Sequence, residues 1–300
     1  GRFVPQDNSL ILPANRTGLL SSADVLLVTG GARGVTADCI IEVARRTGAR
    51  FALLGRSALR DWPDGLEETR DERALRGALA RQAAASGEKL KPADLNAHAR
   101  ALLSGAEIRD TLDAIRTAGG NAIYIPTDVA NRSALARAIA EAEARLGPIT
   151  GLVHGAGVLA DKLIREKTPE QLARVFGPKI DGLDALLSEL DTSRLKTIAF
   201  FSSVAARYGN AGQSDYAMAN ELLNRMAWWL KASRPEMTVT SINWGPWDGG
   251  MVDDGLRAKF AEMGVALISR QAGANAFADA VLAGAACPVE IVAGAEIAHG

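Results

Sequence analysis

Tyr216 and Asn220 stand one helical turn apart in the run GNAGQSDYAMAN, 13 residues after Ser203, which closes the apolar run IAFFSS. A tyrosine hydroxyl can bond and protonate a carbonyl oxygen, and a serine hydroxyl can share the charge that develops there. Residues at i and i+4 share a helix face, so Asn220 lies beside the Tyr216 hydroxyl rather than behind it. This set suits acid-assisted reduction of a carbonyl, which needs a hydride donor close by.

A place for such a donor exists near the N-terminus. The run TGGARGVTADCI follows one apolar segment and opens a helical one. Gly30, Gly31 and Gly34, with Arg33 and Val35 between and after them, let the backbone turn tightly and approach a pyrophosphate at the helix N-terminus. The next apolar run ends LLGRS, putting Arg56 and Ser57 where an NAD site would carry an acid for the ribose diol. With Arg33, Arg56 can pair a 2′-phosphate, so NADPH is preferred to NADH. Asp128 and Val129 follow the third run, where Asp128 reads either as an acceptor for the adenine amino group or as a helix N-cap. HGAG supplies His154, Gly155 and Ala156 as a small-residue floor under the nicotinamide ribose, with His154 itself a packed strand-end residue rather than a catalyst.

Positioning these groups requires strands that end where the loops begin. Seven short apolar runs have strand character: VLLVTGG, then 49–55, 121–127, 149–155, 196–202, 239–245 and 289–294. Helix-period segments separate them at 36–47, 132–146, 169–190, 213–233 and 271–284. Alternation of this kind predicts an α/β, Rossmann-type doubly wound parallel sheet in a single domain spanning 24–300, preceded by an N-terminal arm or linker over 1–23. Residues 57–107 break the rhythm. They are rich in Arg, Glu, Asp, Lys and Ala, and an ordinary crossover would be shorter, so a helical insertion is expected. Its mixed-sign charge spacing reads as a solvated surface hairpin, with a docking surface the sharper alternative.

The 48% hydrophobic content over 300 residues suffices for a large core, and a net charge of −1 argues against nucleic-acid or anionic-membrane partners. Two widely separated cysteines predict a reduced, cytoplasmic protein with no disulfide framework and no zinc site. No apolar stretch has membrane-spanning length. The chain opens on Gly1 rather than Met, and is expected to be a domain of something larger.

Taken together, TGGARGV, HGAGV, FGPKIDG, FSSVAARYGNAGQSDYAMAN and NWGPWDGGM resemble the ketoreductase domains of polyketide and polyunsaturated-fatty-acid synthases, within the short-chain dehydrogenase/reductase superfamily. The polyunsaturated-fatty-acid type is the more similar, from GGARGVTADC and the insertion after LLGRS. In the wider superfamily a lysine stands where Asn220 is. The synthase branch carries that lysine on the preceding helix, which is Lys179 here. The resemblance implies that Tyr216 protonates the ketone, that Lys179 lowers the tyrosine's pKa, that Ser203 holds the carbonyl and that Asn220 positions Lys179 and a relay water. Thr36 departs from the superfamily pattern by replacing the last glycine of the loop.

The resemblance further implies cofactor contacts from Pro246 and Trp247, although Trp244 and Trp247 read equally as packing aromatics. Leu159, Asp161 and Met251 are the implied substrate contacts, with Val252 beside them in a lid region over 247–268. Leu159-Ala160-Asp161 matches the element of reductases giving (3R)-hydroxy products, and Tyr208 stands where the opposite class has tryptophan. The implied reaction is NADPH-dependent reduction of a 3-oxoacyl thioester on the phosphopantetheine arm of an acyl carrier protein, beside neighbouring synthase domains. A free-standing reductase of small ketones and a non-catalytic structural module are the alternatives.

Overall fold

The computed structural model describes residues 20–249, 254–262 and 265–294. In chain order the elements are β1 (Val25–Thr29), α1 (Gly34–Thr47), β2 (Arg50–Gly55), α2 (Glu72–Ala85), α3 (Pro92–Thr117), β3 (Asn121–Pro126), α4 (Arg132–Leu146), β4 (Gly151–His154), α5 (Pro169–Phe176), α6 (Gly182–Glu189), β5 (Thr197–Ser203), α7 (Ala205–Tyr208), α8 (Ser214–Ser233), β6 (Thr238–Trp244), α9 (Asp254–Glu262), α10 (Arg270–Leu282) and β7 (Glu290–Ala293). The seven strands form one parallel sheet in the order β3-β2-β1-β4-β5-β6-β7. Every predicted strand run holds a strand.

The sheet has two buried faces because successive side chains of its strands point to opposite sides. Leu26 and Val28 of β1 join Ile40, Phe277 and Val281 in one core, under α1 and α10. Val25 and Leu27 join Leu135, Leu183 and Leu223 in the other, under α4, α6 and α8. Strand order reverses between β1 and β4, which opens a crevice at their carboxyl ends, the place where open α/β sheets bind ligands. The backbones meet closely there: a Cβ on Gly30 would lie 2.8 Å from the Gly155 carbonyl carbon.

Two expectations need correction. The helical segment 169–190 is not one helix, because Gly177–Asp181 forms a π-helical turn between α5 and α6. Pro178 has no N–H to give to the preceding turn, and the widened turn instead closes from the Gly182 N–H to the Gly177 carbonyl. The insertion, secondly, does not end at 107. Its hairpin of α2 and α3 has a small core of its own, Leu75, Leu79, Ala99 and Leu102, but α3 runs on unbroken to Thr117. Ile108 and Ile115 in that continuation belong to the sheet core. One helix is thus both insertion and crossover. Of the N-terminal arm only 20–23 lie among the described residues, where Leu20 is buried. No described helix is long and apolar enough to cross a membrane.

Candidate active site

The crevice has a cofactor-like side and a proton-donor side. On the first, β1 runs into Gly30 at φ +70°, and the chain enters α1 at Gly34, φ +62°, where an added Cβ would meet nothing. The N-terminus of α1 has no side-chain cap and no acid in its first turn, whereas α4 and α10 are capped by Asn131 and Ser269. N–H groups left without a side-chain cap, beside a glycine with free space at its Cβ position, fit a phosphate. Thr36 is accommodated by the opposite loop: a Cβ on Gly155 would come within 2.9 Å of the threonine methyl, so Gly155 supplies the space the missing glycine would have left.

Arg33 is not alone at the loop. Its guanidinium donates to Ser104 Oγ at 2.7 Å and to Glu107 at 3.3 Å, both on α3, so the insertion touches the glycine loop. Arg56 is exposed at the end of β2, and the Ser57 carbonyl accepts from the Tyr124 hydroxyl at 2.6 Å. Asp128 is exposed and accepts from the Ala130 N–H at 3.1 Å. The N-cap of α4 is Asn131, so the capping explanation for Asp128 falls.

Three expected cofactor residues turn inward. Val129 is buried against Gly182. Trp247 is buried 4.8 Å from Trp244, with its ring edge filling the space a Cβ on Gly273 would need, so its indole has little surface for a ligand. His154 is fully buried, with one ring nitrogen 2.8 Å from Thr29 Oγ and the other 2.9 Å from the Lys179 carbonyl. A carbonyl only accepts, so Nε2 carries the proton and Nδ1 accepts from Thr29, which itself accepts from the Ala156 N–H. Burial pushes the imidazole pKa down to about 4, which keeps it neutral. The side chain therefore fixes the backbone of the π-helical turn. Pro246 is half-buried beside these residues, while Met251 and Val252 lie outside the described residues.

On the proton-donor side, β5 ends at Ser203, and α8 begins beyond the short α7 with Tyr216 in its first turn. The π-helical turn sends the Lys179 side chain inward: Nζ donates to the Phe201 carbonyl at 2.9 Å and stands 5.7 Å from the centre of the Tyr216 ring. A Cβ on Gly157 would strike Lys179 Cε at 2.8 Å, so the glycine after HGA makes room for the lysine. Asn220 donates to the Tyr216 carbonyl at 2.9 Å, and its Oδ1 is buried without a hydrogen-bond partner. The structure therefore brings Lys179, Ser203, Tyr216 and Asn220 together. Asp161, on the loop after β4 two residues beyond Leu159, acts on Tyr216 and accepts from Gln213 at 2.9 Å.

Burial draws Lys179 down to about 7, and burial also raises Tyr216 above its ordinary value, against hydrogen bonds from Asn220 and Ser203 that lower it; Asp161 adds to the rise. Lys179 is buried beside the tyrosine. Its head group faces a strand carbonyl and the ring face, and desolvation penalises the charged form of both partners. Sequence reasoning also missed Lys167 and Asp215, whose side chains pair at 2.7 Å. Asp215 precedes Tyr216 directly, but nothing in the spacing tied it to Lys167.

The parallel sheet, glycine loop and clustered Ser, Tyr and Lys define a short-chain dehydrogenase/reductase fold, which binds a nicotinamide cofactor. A profile of the KR-domain family matches residues 25–249, and the chain belongs to that family, whose members in polyketide and polyunsaturated-fatty-acid synthases are oxidoreductases acting on β-ketoacyl groups. A polyunsaturated fatty acid synthase protein of Thraustochytrium sp. is 42% identical over 286 residues, covering 92% of this chain and 10% of that protein. A ketoreductase from the first module of phoslactomycin biosynthesis in Streptomyces sp. HK803 superposes with a TM-score of 0.68 at 25% identity, over 93% of this chain and 55% of that one. A short-chain dehydrogenase/reductase of Serratia marcescens shares the fold alone, at TM-score 0.65 and 19% identity, over 91% of this chain and 97% of that one. The chain thus spans a tenth of the Thraustochytrium synthase protein and about half of the phoslactomycin enzyme.

Proposed function

We propose that this chain reduces the 3-keto group of an acyl thioester, held on the phosphopantetheine arm of an acyl carrier protein, to the (3R)-hydroxyacyl thioester with NADPH. The observation that carries the reading is the convergence of Lys179, Ser203, Tyr216 and Asn220 at the carboxyl end of the sheet, beside an uncapped glycine loop. When bound, the nicotinamide supplies a hydride to the ketone carbon. Ser203 donates to the ketone oxygen and stabilises the alkoxide as the C=O π pair moves onto it. Tyr216 gives that oxygen its hydroxyl proton. Lys179, drawn down to about 7 by burial, returns a proton to the phenolate through a water that donates to the buried Asn220 Oδ1.

Arg33 and Arg56, with no acid at the end of β2, support NADPH over NADH. Asp161 near Tyr216, in the element Leu159-Ala160-Asp161, supports the (3R) product. The similarity to a fatty acid synthase protein supports a carrier-borne substrate, neighbouring synthase domains and a cytoplasmic setting. NADPH oxidation with a 3-oxoacyl thioester tests the assignment. Tyr216→Phe removes the proton donor and is expected to lower kcat by about 10²–10⁴-fold. Equal rates for the two proteins would overturn it, and a (3S) product would overturn the stereochemical part.

A further inference from the structure

The loop after β4 carries Leu159, Asp161 and Lys167, and it is laced to the start of α8. The Lys162 N–H donates to the Gly212 carbonyl at 2.9 Å, and Gln213 Nε2 donates to Asp161 at 2.9 Å. Both bonds are at the surface. Beneath them Lys167 Nζ donates to the Ala160 carbonyl at 2.9 Å and pairs with Asp215 Oδ1 at 2.7 Å. That same oxygen accepts the Tyr216 N–H at 2.8 Å. The two side chains are only 8% and 2% exposed, so the pair is an interior one. Lys167 is also fixed from behind, because the next residue, Thr168, opens α5 with a capping box closed by Gln171.

A buried ion pair is a poor way to add stability. The cost of desolvating two charges offsets their attraction, and well-packed apolar residues of similar size do as well or better. What the pair does that an apolar contact cannot is direct: one carboxylate oxygen and one ammonium join the Ala160 carbonyl to the Tyr216 amide. Leu159 and Asp161 flank the first group, and the phenol grows from the second. We propose that Lys167 and Asp215 are positioning residues that set the Leu159–Asp161 loop against the Tyr216 phenol, and so decide which face of the substrate carbonyl lies under the proton donor. The inference rests on the reductase reading for its turnover and chirality arms only.

The decisive protein is the Lys167→Met/Asp215→Asn double variant. It removes both charges together and leaves no unpaired ion in the interior, so folding is retained, as thermal unfolding checks. In the wild type, ¹³Cζ-labelled tyrosine gives one signal for each of Tyr124, Tyr208 and Tyr216, assigned with Tyr216→Phe. The double variant is expected to move the Tyr216 signal and leave the other two in place, an outcome that requires no turnover. With a 3-oxoacyl thioester it is expected to lower kcat by about tenfold or more with little change in KM, since misplacing a reacting group by 1 Å can cost about 10²-fold. The product should become a mixture of enantiomers.

A folded double variant with an unmoved Tyr216 signal, wild-type kcat and a single enantiomer would overturn the proposal. Should the double variant not fold, Asp215→Asn alone keeps an oxygen for the Tyr216 N–H, and the same measurements on it support or overturn the proposal in the same way. A wild type that binds no NADPH and turns nothing over would sink the reductase reading, while the tyrosine signal would still test the positioning role.

Discussion

The two sides of the crevice hold their polar groups in opposite ways. On the proton-donor side Lys179, Asn220 and Asp215 are buried, and Lys167 buries its side chain. On the cofactor side Arg33, Arg56 and Asp128 are exposed, and the Arg33–Glu107 pair keeps 45% and 56% of its side-chain surface. A group whose proton affinity and position must be set in advance belongs in the interior, where burial perturbs the first and packing fixes the second. A group that meets a ligand phosphate does better to wait in water, because the ligand brings its own charge. Coulomb energy at a given distance is several-fold larger inside than at the surface. Equal contacts on the two sides are therefore unequal in consequence.

The largest expected effect tests the interior side. Lys167→Met alone strands the Asp215 carboxylate and should destabilise the fold by about 3–5 kcal/mol, read as a fall in urea midpoint. A loss below about 1 kcal/mol, the range of exposed pairs, would mean that water reaches the pair, and the contrast between the two sides would collapse.

Next comes the pH dependence contributed by Lys179, whose pKa is about 7 when folded and about 10.4 when unfolded. Between those values the unfolded chain holds a proton that the folded one has released, so stability gains from rising pH. Relative to Lys179→Met, the wild type should therefore gain up to about 1.4 kcal/mol per pH unit above pH 7. The full penalty is present below pH 7. Urea titrations of both proteins at three values of pH would read this slope, and a constant difference would place the ammonium in solvent.

On the exposed side, Arg56→Ala and Arg33→Ala should each raise KM for NADPH by about tenfold, the worth of one charge-assisted bond, and leave KM for NADH unchanged. Parallel losses with both cofactors would remove the 2′-phosphate assignment. The smallest effect is expected from Glu107→Gln. An exposed pair contributes less than about 1 kcal/mol, so Tm should hold while Arg33, freed of the Glu107 charge but still bonded to Ser104, binds NADPH somewhat more tightly. A larger loss of Tm would show that the insertion braces the glycine loop rather than resting on it.

Much of this was legible in the chain. Continuous apolar runs such as VLLVT mark strands buried on both faces, and the glycines after them mark turns that only glycine enters easily. Tyr216, Ser203 and Asn220 were readable because helix periodicity and a strand end are local properties. Lys179 needed the family resemblance, since nothing in FGPKIDG by itself says that a π-helical turn will send the lysine inward.

The sequence by itself determined the order of strands and helices, the glycine loop and the residue types of the site, because backbone propensity and hydrophobic period act over a few neighbours. Only the tertiary structure decided that Lys179 meets the Tyr216 ring, that Trp247 and His154 face the core, that Arg33 touches α3, and that Lys167 finds Asp215. Burial and pairing depend on which distant segments the sheet brings together, and no local pattern records that.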